Sequence, residues 1–266
     1  MNSEQRLNDI AAQVDELHAA LHVAAAESLP FAYEADGGKW LQRAIDRVGE
    51  PPSDRDEGLL YSFFREMCGS GPSEVRARQY PEYLSHLGPP GTLPYVDLGA
   101  GDGDFILYLA SHGYPVLGVD TNLKEVEKGR ARGAQMVHGD ALEYLQGCPP
   151  GSLAGVFMLQ VVEHLEPDSM RRVLKAIVAA LSPGGKVIIE TINLRHPLAF
   201  QGFYADPTHT RPVADDYLEF LLEWEGLTAL HKILTMPVSP DGSAPLVGSI
   251  DESRVYYNYA VIATKP

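Results

Sequence analysis

The feature that most constrains the fold is an alternation of short apolar runs with helix-length segments from Pro94 onward. Five runs read as β-strands: YVDLGA (95–100), PVLGVD (115–120), QMVHGD (135–140), GVFMLQ (155–160) and KVIIET (186–191). Helical patterns lie between them, around 104–112, 122–132, 141–146 and 167–181. Since strands joined by helices form right-handed crossovers, the pattern predicts a parallel sheet covered by helices.

The last part of the chain changes this pattern. After a helix near 213–225, two further strand-like runs, LTALHKILTMP (227–237) and VYYNYAVIATK (255–265), are separated by a Gly-, Pro- and Ser-rich loop with no helix. Such a pair is typical of antiparallel strands. The sequence therefore predicts an α/β fold with a seven-stranded, mostly parallel sheet and one antiparallel end strand.

The N-terminal third reads differently and predicts a helical extension. Apolar residues share one helix face, namely Leu7, Ile10, Val14, Leu17 and Leu21. Further helices are predicted around 40–48, around 58–67 and from Ser73, with a Pro- and charge-rich linker at 49–58. The first helix either docks on its own domain or forms a homo-oligomer contact. We expect a helical extension or lid over 1–90 and the sheet domain over 91–266.

Composition excludes several classes of protein. The formal net charge of −15 argues against a nucleic-acid-binding surface, which needs clustered Lys and Arg. The two cysteines, Cys68 and Cys148, are far apart and predict neither a disulfide framework nor a zinc site. We find no signal peptide and no apolar run near the ~20 residues that span a bilayer, so we expect a cytoplasmic protein without a membrane span.

A glycine-rich loop, DLGAGDG (97–103), follows the first predicted strand and opens a helix. It is not a dinucleotide fingerprint, because Asp104 occupies the position of the third glycine in GxGxxG, and no GK[ST] follows as in a P-loop. Asp102 and Asp104 lie where a pyrophosphate would meet the helix N-terminus, which is unfavourable for an anion. The loop therefore favours a ligand without phosphate, especially a positively charged one.

The pattern DxGxGxG resembles motif I of class I S-adenosylmethionine (SAM) methyltransferases. The resemblance continues at Asp120, which ends the second strand where the family holds both ribose hydroxyls, and at GDA (139–141), where it holds the adenine edge. LSPGG (181–185) matches the family's turn before the fifth strand. It implies a Rossmann-like fold with SAM as cofactor. The cofactor-binding residues implied are Asp97, Gly99, Ala100, Gly101, Gly103, Asp120, Thr121, Asp140, Ala141 and Gln160.

Two other stretches resemble a narrower bacterial group of SAM methyltransferases associated with O-antigen, polysaccharide or natural-product biosynthesis. One is QVVEH (160–164) together with the later stretch 190–212, which contains the segment DPTH (206–209). Within that stretch, Ile192 and Leu194 replace prolines of the group. The other, 69–84, precedes motif I. By this resemblance the upstream helix closes over the methionine end of SAM, with Arg78, Gln79 and Tyr83 as candidate contacts.

Methyl transfer to an alcohol requires removal of its proton, so a base or a metal is expected near the methyl group. We hypothesise that His164 or His209 takes this proton and that Glu163 orients or charges the imidazole. The alternatives are a structural His164 and a DPTH turn in which Asp206 bonds its own backbone. The aromatic residues at 200, 203 and 204 form either a packed lid or a platform for substrate.

A metal is a less favoured alternative. QVVEH with a later histidine resembles the ExxEH…H magnesium site of small-RNA 3′-end methyltransferases, which would use Glu163, His164 and His209. The first Glu of that pattern is Gln160 here, a weaker ligand for a hard cation, so we predict no metal. We expect methyl transfer to a hydroxyl of a small molecule or saccharide. RNA 3′-end methylation and a non-catalytic partner subunit are the alternatives, and transfer to nitrogen or phosphate stays open.

Overall fold

The computed structural model describes residues 60–61, 77–237 and 256–266, except for the side chains of residues 197, 198, 201 and 237. The helices are α1 (Tyr80–Ser85), α2 (Asp104–Ser111), α3 (Leu123–Ala131), α4 (Ala141–Gly147), α5 (Pro167–Ala180), α6 (Pro197–Phe203) and α7 (Asp215–Trp224), with a 3₁₀ helix at Val162–His164. The strands are β1 (Tyr95–Leu98), β2 (Val116–Asp120), β3 (Met136–His138), β4 (Leu153–Leu159), β5 (Leu181–Ile192), β6 (Thr228–Pro237) and β7 (Tyr256–Thr264).

The seven strands form one sheet in the order β3-β2-β1-β4-β5-β7-β6. Strands β1 to β5 pair in parallel, and β7 pairs antiparallel with both β5 and β6. This confirms the predicted fold class and the antiparallel final pair. The last strand of the chain inserts beside β5, which leaves β6 at the edge of the sheet.

Strand β5 begins five residues earlier than the sequence predicts, at Leu181 rather than at Lys186. Leu181 pairs with Leu153 and pairing resumes where Lys186 meets Gly155, so residues 182–185 lie opposite one residue of β4. The predicted LSPGG turn is therefore an irregularity inside the strand. Gly184, with φ of +77°, supplies a backbone conformation that residues other than glycine rarely adopt. Helix α6 was not predicted, since 194–212 carries no clear helical period.

Helices bury both faces of the sheet, because alternate strand residues point to opposite sides. On one side Met158 of β4 packs in a cluster with Leu174 of α5 and Leu218 of α7. On the other side Phe157 of β4 packs in a cluster with Phe105 of α2. The carboxyl ends of β1, β2, β3 and β4 thus meet at one edge between two helical layers, which is where ligands bind in such sheets.

Most of the predicted N-terminal extension lies outside the described residues, including the helices near 7–21 and 40–48 and the helix start at Ser73. In its described part, Tyr80 and Tyr83 are buried against Phe105, with ring centroids 4.8 and 6.0 Å apart. Helix α1 therefore packs on the sheet domain, and the boundary at residue 90 stays a prediction. Among the described residues, no helix is long and apolar enough to cross a membrane.

Candidate active site

The glycine loop turns sharply at the end of β1. Gly99, Gly101 and Gly103 all have positive φ, at +73°, +54° and +77°. A β-carbon on Gly99 would lie well inside van der Waals contact with Cγ2 of Val161, which follows β4. The backbone amides of Gly99 and Ala100 both donate to the carbonyl of Val119 in β2, at 2.8 and 3.2 Å. The loop after β1 is therefore packed between the ends of β2 and β4.

Asp120 ends β2 as predicted, and two backbone amides hold its carboxylate. Gly101 N–H donates to Oδ2 and Asn122 N–H donates to Oδ1, both at 2.7 Å. The first bond ties the glycine loop to β2. Because both bonds go to the charged form, they orient a negatively charged group toward the loop.

Asp97 is a buried carboxyl below the same loop, only 3% exposed. Its Oδ1 has no hydrogen-bond partner among the described residues. Burial raises the pKa of Asp97 well above its ordinary value, and the negative charge of Asp120 raises it further. A buried acceptor without a partner is costly, and a cationic hydrogen-bond donor would relieve that cost. The ammonium group of SAM has this chemistry, so the residues present fit the cofactor.

The expected charge effect of Asp102 and Asp104 is wrong. The carboxylate of Asp102 lies 3.2 Å from both Lys128 Nζ and an Arg132 guanidinium nitrogen, and Asp104 pairs with the same Arg132. Lys128 of α3 and Arg132, which directly follows α3, therefore neutralise both acids and hold the glycine loop against that helix. The sequence could not show this, because the pairing depends on where α3 packs.

The predicted adenine-side residues lie at the end of β3. Asp140 is the N-cap of α4, and its Oδ1 accepts from the backbone amides of Leu142 and Glu143 at 2.8 and 3.0 Å. Ala141 is the first residue of that helix. Thr121, which follows the neighbouring strand β2, is exposed, and its carbonyl lies 3.0 Å from Nε2 of His138 in β3. Asp140 thus caps the N-terminus of α4, in addition to the contact with adenine that the family resemblance implies.

Glu190, near the end of β5, organises a network that the sequence reasoning missed. Its fully buried carboxylate accepts from Gln160 Nε2 at 3.0 Å, Gln79 Nε2 at 3.3 Å, Thr235 Oγ1 at 2.6 Å and the hydroxyl of Tyr83. Burial raises the pKa of Glu190, and these four hydrogen bonds partly offset that effect. A charged residue directly after the apolar run VII (187–189) was the available signal.

Of the predicted upstream contacts, Gln79 and Tyr83 thus belong to the Glu190 network, whereas Arg78 is exposed. Gln160 has a left-handed backbone, with φ of +59°, which is rare for a residue other than glycine. Its backbone amide donates to the Glu190 carbonyl at 3.0 Å. Glu190 therefore holds both the main chain and the side chain of Gln160.

The structure brings together the two predicted catalytic stretches, although they are more than forty residues apart. The Thr210 amide donates to the Glu163 carbonyl at 2.9 Å, and the Thr210 hydroxyl donates to the Leu165 carbonyl at 2.9 Å. As a result, the rings of His164 and His209 lie 4.6 Å apart. Potential ligand atoms of Glu163, His164 and His209 all lie within 4.8 Å of one another.

His164 is oriented by the DPTH segment rather than by Glu163. The Thr208 hydroxyl donates to Asp206 Oδ1 at 2.6 Å, so its oxygen accepts from Nδ1–H of His164 at 2.9 Å. This arrangement assigns the proton to Nδ1 and leaves the lone pair on Nε2. Burial lowers the pKa of His164, and neighbouring His209 lowers it further. A neutral imidazole with a basic Nε2 follows.

Asp206 also accepts from the backbone amide of Thr208 at 2.8 Å, so the predicted turn exists. It coexists with the relay of hydrogen bonds from His164 through the Thr208 hydroxyl to Asp206. His209 has a similar orientation, because its Nδ1 lies 2.7 Å from the Phe203 carbonyl and donates to it. Its Nε2 lies 3.8 Å from Oδ2 of Asp206. Both histidines therefore carry the proton on Nδ1.

Glu163 is fully buried, and Thr191 Oγ1 donates to its Oε2 at 2.8 Å. Its Oε1 has no hydrogen-bond partner in the part of the chain that the structure describes. Burial raises the pKa of Glu163 to about 8, against the lowering effect of Thr191. The carboxyl is thus largely neutral at pH 7 and does not charge the imidazole. Together with one ring nitrogen of each histidine, it could hold a divalent cation.

Aromatic side chains surround the two histidines. Phe203 is buried and stacks on His209, with centroids 4.7 Å apart, so it is packed rather than available to substrate. Phe200 and Tyr204 are 42% and 67% exposed beside it. Tyr61, from the N-terminal extension, lies 6.5 Å from the ring of His164. Side chains from two distant parts of the chain therefore border this site.

Comparisons with known proteins identify relatives. The family profile described as a methyltransferase domain matches residues 62–232. A ubiquinone biosynthesis O-methyltransferase of Idiomarina loihiensis is 34% identical over 106 residues, 37% of this chain and 42% of that protein. A tRNA (guanine-N(7)-)-methyltransferase of Erythrobacter litoralis is 30% identical over 134 residues, 42% of this chain and 56% of that protein. The chain spans about half the length of these curated relatives.

Solved structures agree on the fold. A SAM-dependent methyltransferase of Archaeoglobus fulgidus superposes with a TM-score of 0.68 at 25% identity, covering 77% of this chain and 99% of that one. A phosphoethanolamine N-methyltransferase of Haemonchus contortus in complex with SAM gives 0.57 at 18% identity, covering 82% and 61%. With its seven-stranded sheet, its glycine loop and these matches, the chain belongs to the methyltransferase domain family.

Proposed function

We propose that this methyltransferase transfers the methyl group of SAM to a hydroxyl oxygen of a small molecule or saccharide. The observation that carries the proposal is the His164–Thr208–Asp206 relay, which leaves a basic Nε2 on a neutral imidazole. The chain segment that carries His164 contacts the glycine loop through Val161. Two curated relatives are named ubiquinone biosynthesis O-methyltransferases, which supports oxygen as the acceptor atom.

The cofactor is held by residues at the carboxyl edge of the sheet. In this proposal Asp97 faces the cationic methionine end, Asp120 accepts from the ribose, and Asp140 with the amide of Ala141 meets the adenine. Positive φ at Gly99 and Gly101 lets the backbone approach the ligand closely. When bound, SAM supplies an electrophilic methyl group on a positively charged sulfur.

With SAM bound, Nε2 of His164 would take the proton of the acceptor hydroxyl as its oxygen bonds to the methyl carbon, whose bond to sulfur breaks to leave S-adenosylhomocysteine. The resulting imidazolium donates through Nδ1–H to the Thr208 hydroxyl, which itself donates to the Asp206 carboxylate. The relay thus links the positive charge to the carboxylate of Asp206, whereas Glu163, largely neutral at pH 7, contributes no negative charge beside the imidazolium. His209 packs beside His164 and is the second candidate for the base.

The test compares His164→Ala and His209→Ala with His231→Ala, an exposed histidine of β6. Transfer of a labelled methyl group to a panel of phenols and sugars gives turnover, and calorimetry gives the affinity for S-adenosylhomocysteine. Loss of the base should lower kcat by roughly 10²–10⁴-fold and leave that affinity nearly unchanged. Full turnover in both site variants would refute a histidine base, and failure of the wild type to bind the cofactor product would indicate a non-catalytic protein.

A divalent cation at Glu163, His164 and His209 is the second candidate for activating the hydroxyl. It is favoured by the short distances among one ligand atom of each of these residues, and by the hydrogen bonds that orient both imidazoles through Nδ1. Imidazole and carboxylate ligands suit zinc, manganese or iron better than magnesium. Activity that is lost on exhaustive chelation and restored by one of these ions would support the cation, and unchanged activity would exclude it.

A further inference from the structure

We propose that Glu190 is a positioning residue that fixes the amide groups of Gln79 and Gln160 so that their oxygens favour a cationic group at the methionine end of the cofactor pocket. The proposal rests on the proposed use of SAM. It concerns a side chain that the family motifs leave without a role. As a carboxylate, Glu190 donates no hydrogen bond, and it accepts four from three other parts of the chain.

The chemistry of a carboxylate fixes the orientation of both amides. A carboxylate only accepts hydrogen bonds, so the Nε2 groups of Gln79 and Gln160 must both face Glu190. The amide oxygens then point away from it. Oε1 of Gln79 is buried and has no hydrogen-bond partner among the described residues. Glu190 thus converts two ambivalent amides into two acceptors of fixed orientation.

The location of Gln160 connects these acceptors to the cofactor loop. Gln160 follows β4, and the next residue, Val161, contacts Gly99 of the glycine loop. Asp97, whose Oδ1 also has no hydrogen-bond partner among the described residues, lies on the adjacent strand and pairs there with Phe157 of β4. Two acceptors without a partner among the described residues, Asp97 Oδ1 on β1 and Gln79 Oε1 beside Glu190 of β5, therefore flank the strand end that Gln160 follows. An ammonium group has three donors and no acceptor, which complements such a set.

The anchoring of Gln79 has a second consequence. Gln79 precedes α1, whose Tyr83 also donates to Glu190, so the helix that covers the sheet is attached to β5 through this one carboxylate. Thr235 brings β6 to the same point. Since all the donors converge on a fully buried group, loss of the carboxylate leaves several polar groups unsatisfied at once.

The test measures binding of S-adenosylhomocysteine and of its desamino analogue, which keeps the carboxylate and lacks the ammonium group. Wild-type protein is expected to prefer the amino form. Glu190→Met should weaken binding of the amino form by roughly 10–100-fold, as expected for lost hydrogen bonds to a charged group, and change binding of the analogue by less than about threefold. Glu190→Gln should restore the preference, because its amide oxygen can face Gln79 and Gln160 while its nitrogen faces the hydroxyls of Tyr83 and Thr235.

Two further variants separate positioning from folding. Gln79→Met removes one acceptor oxygen and one of the four hydrogen bonds to Glu190, while the carboxylate itself is kept. It should reproduce part of the lost preference, so it carries the test if Glu190→Met does not fold. Thr235→Val removes a bond to Glu190 on the side away from the amides and should keep the preference. An unchanged ratio of affinities in both Glu190→Met and Gln79→Met would overturn the inference. Absence of any binding by the wild type would instead refute the proposed function.

Discussion

Gly99→Ala tests whether the cofactor loop and the segment that leads to His164 are packed as the structure has them. The new β-carbon would overlap Cγ2 of Val161 and lie 3.5 Å from its Cγ1. The same substitution also places alanine at φ of +73°. Two costs are therefore combined, one from the backbone conformation and one from the clash with the neighbouring loop.

Gly151→Ala separates these costs, because Gly151 has φ of +72° and open space where its β-carbon would lie. A left-handed backbone costs an ordinary residue about 1–2 kcal/mol, and both variants should lose that much stability. Overpacking adds about 1–3 kcal/mol, and only Gly99→Ala should show it. We therefore expect Gly99→Ala to be less stable than Gly151→Ala by about 1–3 kcal/mol.

The free energy of unfolding is measured by urea denaturation of the two variants, of Val161→Ala and of the double variant Gly99→Ala with Val161→Ala. Without the two γ-carbons, the nearest remaining atom of residue 161 is Cβ, at 3.6 Å, an ordinary contact. The double variant should thus recover most of the additional stability that Gly99→Ala loses through the clash. This recovery is a favourable coupling free energy of about 1–3 kcal/mol between the two substitutions. Equal losses for Gly99→Ala and Gly151→Ala, or no coupling with residue 161, would refute the packing of these loops.

Three other predictions concern single side chains. Because the pKa of Glu163 is about 8 in the folded protein against 4.5 ordinarily, its contribution to stability is full below pH 4.5 and is lost as the pH rises through 8. Denaturation of chelator-treated protein should show this decline in the wild type and a smaller one in Glu163→Gln. Thr208→Val should lower kcat by about tenfold and Thr208→Ser should restore it, since one hydrogen bond to His164 is lost and regained. Asp120→Asn should weaken binding of S-adenosylhomocysteine by roughly tenfold or more, because an amide nitrogen would face a backbone N–H of Gly101 or Asn122, and unchanged affinity would contradict this.

The fold was predictable because its signals are local. Each predicted strand or helix in the described part of the sheet domain exists, and Asp97 and Asp120 lie at the predicted edge. The start of β5 was not predictable, since Leu181 pairs with β4 across an irregular segment whose pairing depends on the neighbouring strands. Helix α6 was missed for a similar reason, because its Phe203 is buried by tertiary contacts rather than by a helical stripe.

The site was predictable only as a set of residue types. Glu163, His164 and His209 were expected to cooperate, and the structure brings them together. Their pairing was not predictable: Thr208 rather than Glu163 orients His164, because hydrogen bonds between loops depend on the course of the backbone. The effect of Asp102 was not predictable for the same reason, since Lys128 of α3 and Arg132, directly after it, neutralise its charge.

The end of β5 explains how the cofactor side and the acceptor side of the site are held together. Successive strand residues face opposite sides of a sheet, so Glu190 shares the face of Ile188, which packs in one core cluster with Tyr83. Thr191 shares the opposite face with Ile189 and bonds Glu163 beside the histidines. A shift of the β5 register by one residue would place Glu190 and Thr191 on the opposite faces of the sheet. It would break both the Glu190 network and the bond from Thr191 to Glu163. The run VII (187–189) is apolar on both faces, so it carries no sign of which of the two residues after it faces which side. The pairing of β5 with β4 and β7 fixes that choice, and with it the relative positions of the two halves of the site.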